Sequence, residues 1–227
     1  MSALTFEKEG HRYTLDGSPV RSVTGLLKKV GLINFDGIPP SILETARDRG
    51  TKVHAAIHYF SEGDLDVADF SQSFSHLAGY LQSWIRLADT GRLSARFCEH
   101  RVACRQPRFA GTFDFLGVFD GQAALLDHAT GSPFDACKSI QTAFYVMAAR
   151  AWANEPGEEQ LKAFLDAHPY IARYSVQLDK HGDLPKLTAY TDPKDFLKAR
   201  LIAEAVNIVD EERPKSQAWD WQQELAA

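Results

Sequence analysis

The segment FAGTFDFLGVFDGQAALLDHATG, residues 109–131, constrains this chain more than any other. Apolar residues alternate on both sides of Asp120-Gly121, a dipeptide that favours a two-residue type I′ turn between antiparallel strands. Hairpin pairing from that turn sets Asp114 directly opposite Asp127. Carboxylates facing one another on adjacent strands have Cβ atoms about 4.5–5.5 Å apart and repel, and these two are embedded among Phe113, Phe115, Leu116, Leu125 and Leu126. A divalent cation between them would resolve the conflict. Hard oxygen ligands with room for water suit Mg²⁺ or Mn²⁺ over Zn²⁺. The bland alternative puts one Asp at a sheet edge and makes the other a turn cap. Three features weigh against it: Glu99 on the preceding strand, His54 on the helix before the sheet, and the small residues Gly111 and Thr112 beside Asp114.

The rest of the chain reads as a frame for that hairpin. Asp16-Gly17 marks an N-terminal hairpin, and Ser22 to Thr24 caps a short helix over 25–30. Helical spacing of apolar residues predicts a helix over 42–60, interrupted at Gly50, and a second over 74–87. The polar stretch EGDLDVADFSQS reads as a linker between them. Strands are expected at Phe97–Cys104, Phe109–Phe119 and Gln122–His128, with Thr130-Gly-Ser-Pro133 ending the third. Helices at about 136–152, 158–168 and 193–209 and a hairpin around residues 180–182 complete the pattern. The order implies an α/β fold: a mixed central sheet flanked by helices. At 227 residues with 44% hydrophobic content and a net charge of −5, one domain is expected. Its parts are an N-terminal hairpin with helices (1–92), a core (about 93–152) and a C-terminal completion (153–227).

No apolar run reaches the length needed to cross a bilayer, and Cys98, Cys104 and Cys137 form no CxxC. The expectation is a cytoplasmic protein with reduced thiols and no membrane partner. A pI near 5.9 argues against wholesale wrapping by nucleic acid but leaves a local basic cleft open.

With these residues in hand, the segment resembles the PD-(D/E)XK nuclease superfamily, in its RecB-like exonuclease branch. The motifs run in order: Gly50-Thr-Lys-Val-His54 on a helix, Glu99 on a strand, Gly111-Thr-Phe-Asp114, Leu126-Asp127-His-Ala-Thr-Gly131, and Gln141-Thr-Ala-Phe-Tyr145 on the next helix. The resemblance implies a restriction-endonuclease-like core and Mg²⁺- or Mn²⁺-dependent hydrolysis of DNA, at ends or single strands, in recombination, repair or phage replication. The compartment would be a bacterial or phage-infected cell, and a recombination or replication protein is a conceivable partner. Asp114, Asp127 and His54 would be metal ligands. Glu99 would hold a second metal or orient water, and Gln141 and Tyr145 would face the active site and the DNA strand. Arg47, Lys52, Arg108 and Lys138 are the DNA-binding candidates.

The departure from the family pattern is Ala129, which stands where D-x-K calls for lysine. That side chain shares a face with Asp127 and would stabilise charge developing at the phosphate. Three explanations compete: a deliberate inactivating substitution, decay into a binding protein, or migration of the lysine, with Lys138 as the nearest candidate. The first is the expectation, so the chain as written is expected to be inactive or crippled. The rival functions are a noncatalytic DNA-binding or partner-binding module that kept the fold, and a metal-dependent hydrolase of small phosphoesters. His128, on the opposite face from Asp127, reads as a packing or exposed residue.

Overall fold

The computed structural model describes residues 4–131 and 135–212. Strands β1 (Leu4–Glu7), β2 (Arg12–Leu15) and β3 (Ser18–Val20) form a small antiparallel sheet in that order. Asp16 and Gly17 both adopt positive φ, 54° and 75°, as a two-residue hairpin turn requires. Ser22 caps α1 (Val23–Lys29), its hydroxyl accepting the Gly25 N–H at 3.0 Å. Helix α2 (Pro40–Glu62) opens with proline in its first turn and closes at left-handed Gly63. It runs through Gly50 without the expected interruption.

The expected linker contains a helix. In α3 (Val67–Ser73) the Asp66 carboxylate accepts the N–H groups of Ala68 and Asp69, and Phe70 is buried. The polar composition masked an N-cap followed by one apolar anchor. Helix α4 (Ala78–Asp89) accordingly starts later than the expected residue 74.

Strands β4 (Leu93–Cys104), β5 (Phe109–Phe119), β6 (Gln122–Ala129), β7 (Ala172–Gln177) and β8 (Lys186–Ala189) form one sheet in that order. Every neighbouring pair is antiparallel except β6 and β7. The parallel pair requires a crossover, supplied by α5 (Asp135–Trp152) and α6 (Glu159–Ala167). Helix α7 (Lys194–Glu212) packs against α5. The fold is thus a mixed α/β sheet flanked by helices, the class expected. Ser132, Pro133 and the expected C-terminal completion beyond residue 212 lie outside the described residues. Among those described, no helix is long and apolar enough to cross a membrane, and no disulfide joins the three cysteines.

The sheet separates two apolar clusters. One gathers α1, α5 and α7 around Leu26, Phe109, Phe113, Leu125 and Phe144. The other gathers α2, α3 and α4 around Val53, Ile57, Trp84, Phe115 and Leu126. Phe113 and Phe115 are two residues apart and should share a face, yet they enter different clusters. The alternation of β5 therefore breaks at Asp114.

Candidate active site

Asp120 and Gly121 take φ of 52° and 75°, and β5 and β6 pair from Phe119 opposite Gln122 up to Phe115 opposite Leu126. One step further brings Asp114 to Asp127, as the turn chemistry predicts. The backbone ladder stops there. The Asp114 carboxylate instead accepts the backbone N–H of His128 at 2.6 Å. On the other flank, Cys98 pairs with Phe115 and His100 with Phe113, so Glu99 comes between them beside Asp114. Glu99 holds this position at φ 49°, a left-handed conformation that costs free energy in a non-glycine residue and recurs at functional sites. Glu99, Asp114 and Asp127 thus stand in a row across three adjacent strands.

Two helices reach this row from opposite faces of the sheet. From α2, His54 brings Nδ1 to 3.2 Å from Glu99 Oε1 and 3.3 Å from Asp114 Oδ1. From α5, the Lys138 ammonium forms an ion pair with Asp127 Oδ2. Further along α5, Gln141 Nε2 donates to Tyr145 Oη at 3.2 Å. The expected space beside Gly111 is filled by Tyr145: a Cβ at Gly111 would meet the phenol ring at 2.8 Å. Thr112 exchanges a 2.8 Å hydrogen bond with the Tyr13 hydroxyl.

Burial works against a charge on His54, but Asp114 and Glu99 outweigh it and hold its pKa well above the ordinary value. Burial likewise opposes ionisation of Asp114, yet His54 keeps that carboxyl below the usual carboxylate range. At Asp127 burial pushes the pKa up, Lys138 pulls against it, and the Asp114 charge adds to the rise. Burial opposes the Lys138 charge too, and Asp127 more than restores it. Tyr145 is kept a neutral phenol by burial and by the two aspartates. The row is therefore countered by the Lys138 ammonium and by His54, whose charged form Asp114 and Glu99 favour. Oxygen and imidazole donors converging on one point also suit a divalent cation. Ligand atoms of His54, Asp114 and His128 all lie within 4.8 Å of one another.

His128 adds a residue to the site that strand periodicity assigned to packing or to solvent. Its ring does pack, 4.4 Å from the centroid of Trp84. Alternation gave the face correctly, but it carried no information that α2 would bring His54 to the same face, 5.6 Å away. Burial lowers the His128 pKa to about 3, so the ring is neutral. Ala129, at the end of β6, offers only its carbonyl, which accepts the Leu178 N–H at 2.9 Å.

The site opens into a cavity of about 700 Å³. Of the four DNA-binding candidates, Lys138 alone lines it. Arg47 is exposed, on the His54 side of α2 but two turns before it, and Lys52 pairs with Asp48 at 2.8 Å and lies over the Phe74 ring. The α2 residues on the cavity are Gly50, Thr51, His54, Ala55 and His58; Lys52, two residues from His54, is roughly 200° around the helix. Arg108 donates to the carbonyls of Leu15 and Ser18 and so anchors the N-terminal hairpin. Two basic residues outside the candidate set, Lys8 and Arg101, do line the cavity, with Arg101 5.1 Å over the Phe6 ring. Lys8 gave no signal because β1 was not foreseen, and Arg101, though on an expected strand and in a basic cluster, could not be aimed at the cavity from strand periodicity alone.

Fold and site together define an α/β protein with an acidic, histidine-bearing cluster at one end of a mixed sheet. No protein-family model matches the sequence, and no curated protein matches it. Among solved structures the chain is similar to one described as "Putative exonuclease" from Eubacterium rectale, at 11% identity and a TM-score of 0.45. The match covers 88% of this chain and 77% of that one.

Proposed function

We propose that this chain is a metal-dependent DNA nuclease of the RecB-like PD-(D/E)XK kind, and that its lysine has moved from position 129 to Lys138. The observation that carries the reading is the Lys138–Asp127 ion pair beside the row Glu99, Asp114, Asp127 with His54 across it. It weighs against the expectation that Ala129 cripples the chain. The same chemistry is supplied from α5 on the Asp127 side of the sheet.

Asp114, Asp127 and His54 would hold Mg²⁺ or Mn²⁺, which supplies Lewis acidity toward a phosphoryl oxygen and lowers the pKa of water. The other residues act around it. Lys138, kept charged by Asp127, stabilises negative charge developing on the scissile phosphate. Glu99 fixes the imidazole of His54 through Nδ1. Gln141 and Tyr145 form a neutral wall that adds no repulsion to a polyanion. Lys8 and Arg101 at the mouth attract the phosphate backbone.

The test is cleavage of single-stranded and double-stranded oligonucleotides with Mg²⁺ or Mn²⁺. The unaltered chain should cut DNA, and Lys138→Ala should lower kcat by about 10²–10³-fold, the range found for removing one preorganised charge-stabilising donor. Adding Ala129→Lys to Lys138→Ala should restore much of the loss. DNA binding without cleavage in the unaltered chain, and no gain from Ala129→Lys, would favour a noncatalytic binding module.

A further inference from the structure

His128 is buried, 3% exposed, and neither Nδ1 nor Nε2 has a hydrogen-bond partner. Buried polar atoms nearly always find partners, so two orphaned nitrogens on one ring call for a reason. Packing is not a sufficient one, because phenylalanine would fill the same space against Trp84 without any polar atom to desolvate. The side chain is also held: Trp84 meets the ring at 63°, and the residue's own N–H is fixed to Asp114 Oδ2. The ring lines the cavity, and its ligand atom lies within 4.8 Å of those of His54 and Asp114.

We infer that His128 is a metal ligand, adding a second imidazole to the proposed set of His54, Asp114 and Asp127 and so favouring Mn²⁺ over Mg²⁺. Imidazole nitrogens suit transition-metal dications, whereas Mg²⁺ seeks hard oxygens and keeps its waters. The inference rests on the metal-dependent reading above and decides between the two cations that it leaves open.

The experiment titrates the full-length protein with MnCl₂ and with MgCl₂ by calorimetry, in the unaltered chain, in His128→Phe and in Asp114→Asn. Spin-echo spectroscopy of the Mn²⁺ complex then counts coupled imidazole nitrogens. Mn²⁺ should bind the unaltered chain at least tenfold more tightly than Mg²⁺ and show two imidazoles. His128→Phe should lose at least tenfold in Mn²⁺ affinity, change Mg²⁺ affinity less than twofold, and show one imidazole. Should His128→Phe fold poorly, the nitrogen count in the unaltered chain decides alone. A single imidazole there, or an unchanged Mn²⁺ affinity in His128→Phe, overturns the assignment. If Asp114→Asn still abolishes binding in that case, the metal-dependent reading survives. Absence of any binding in the unaltered chain overturns both.

Discussion

At the scale of single residues, the carboxylate pair was legible because a two-residue turn fixes strand register, and register fixes which side chains meet. Lys138 was legible only as a nearby lysine, since the connection between β6 and α5 leaves its direction undetermined by any period. His54 yields a prediction in pH. Its pKa is raised on folding above 6.5 by Asp114 and Glu99 against the cost of burial. The stabilisation from that proton is full below the unfolded value and is lost as pH rises through the folded pKa. The metal-free protein should therefore soften in thermal melts as pH climbs through that window. Mn²⁺ affinity should move the opposite way, rising by up to about tenfold per pH unit until the folded pKa is passed, because the cation must displace the proton. A flat calorimetric affinity from pH 6 to 8 would remove His54 from the ligand set.

At the scale of elements, strands and long helices followed their periods, while α3 and β1 did not declare themselves. Both are short. A four-residue strand such as β1 has too few positions to establish alternation, and α3 is specified by a cap and one buried phenylalanine. The polar tie between α7 and the sheet was likewise invisible, because it is a buried ion pair distant in sequence. Arg173 on β7 meets Asp195 at 3.0 Å with both side chains 3% exposed, and it also donates to the carbonyls of Ser139 and Asp192. Removing one member of such a pair costs about 3–5 kcal/mol. Arg173→Met should fall near the low end, about 3 kcal/mol in urea denaturation, since Lys198 remains 3.1 Å from Asp195. A loss below about 1 kcal/mol would mean that Lys198 alone satisfies the buried carboxylate.

At the scale of the whole molecule, the small N-terminal sheet is part of the site's surroundings. Tyr13 and Leu15 are buried in the main core, Ser22 bridges to Ala110, and Phe6, Lys8 and His11 form one wall of the cavity. Basic residues that look clustered in sequence, such as Arg47 and Lys52, do not line the cavity, whereas Lys8 and Arg101 are far apart in the chain and share the mouth. Sequence proximity was a poor guide to the electrostatic surface because helix rotation and sheet addition determine it. Binding of single-stranded DNA should weaken with salt, and Lys8→Ala with Arg101→Ala should lower the slope of log K against log salt by about 1 to 1.5. Lys52→Ala, on the far side of α2 from His54, should leave the slope unchanged. The reverse outcome, measured by fluorescence anisotropy across a salt series, would put the strand on the outer face of α2.

The order of the strands also sets a schedule. β4, β5 and β6 are consecutive and joined by short turns, so a refolding chain assembles Glu99, Asp114 and Asp127 through local contacts. Lys138 enters with the crossover helix, and β7 closes the parallel pair only after a long excursion. Nonlocal closure is slow compared with hairpin formation. For that interval the nascent meander carries its acids without their lysine, and mutual repulsion should retard its consolidation. A divalent cation present from the outset would serve as a temporary counter-charge. Stopped-flow refolding should then run faster in Mn²⁺ than in its absence, and Asp114→Asn should refold at a rate insensitive to the ion. Equal rates with and without Mn²⁺ in the unaltered chain would mean that the acids come together only after the crossover has closed.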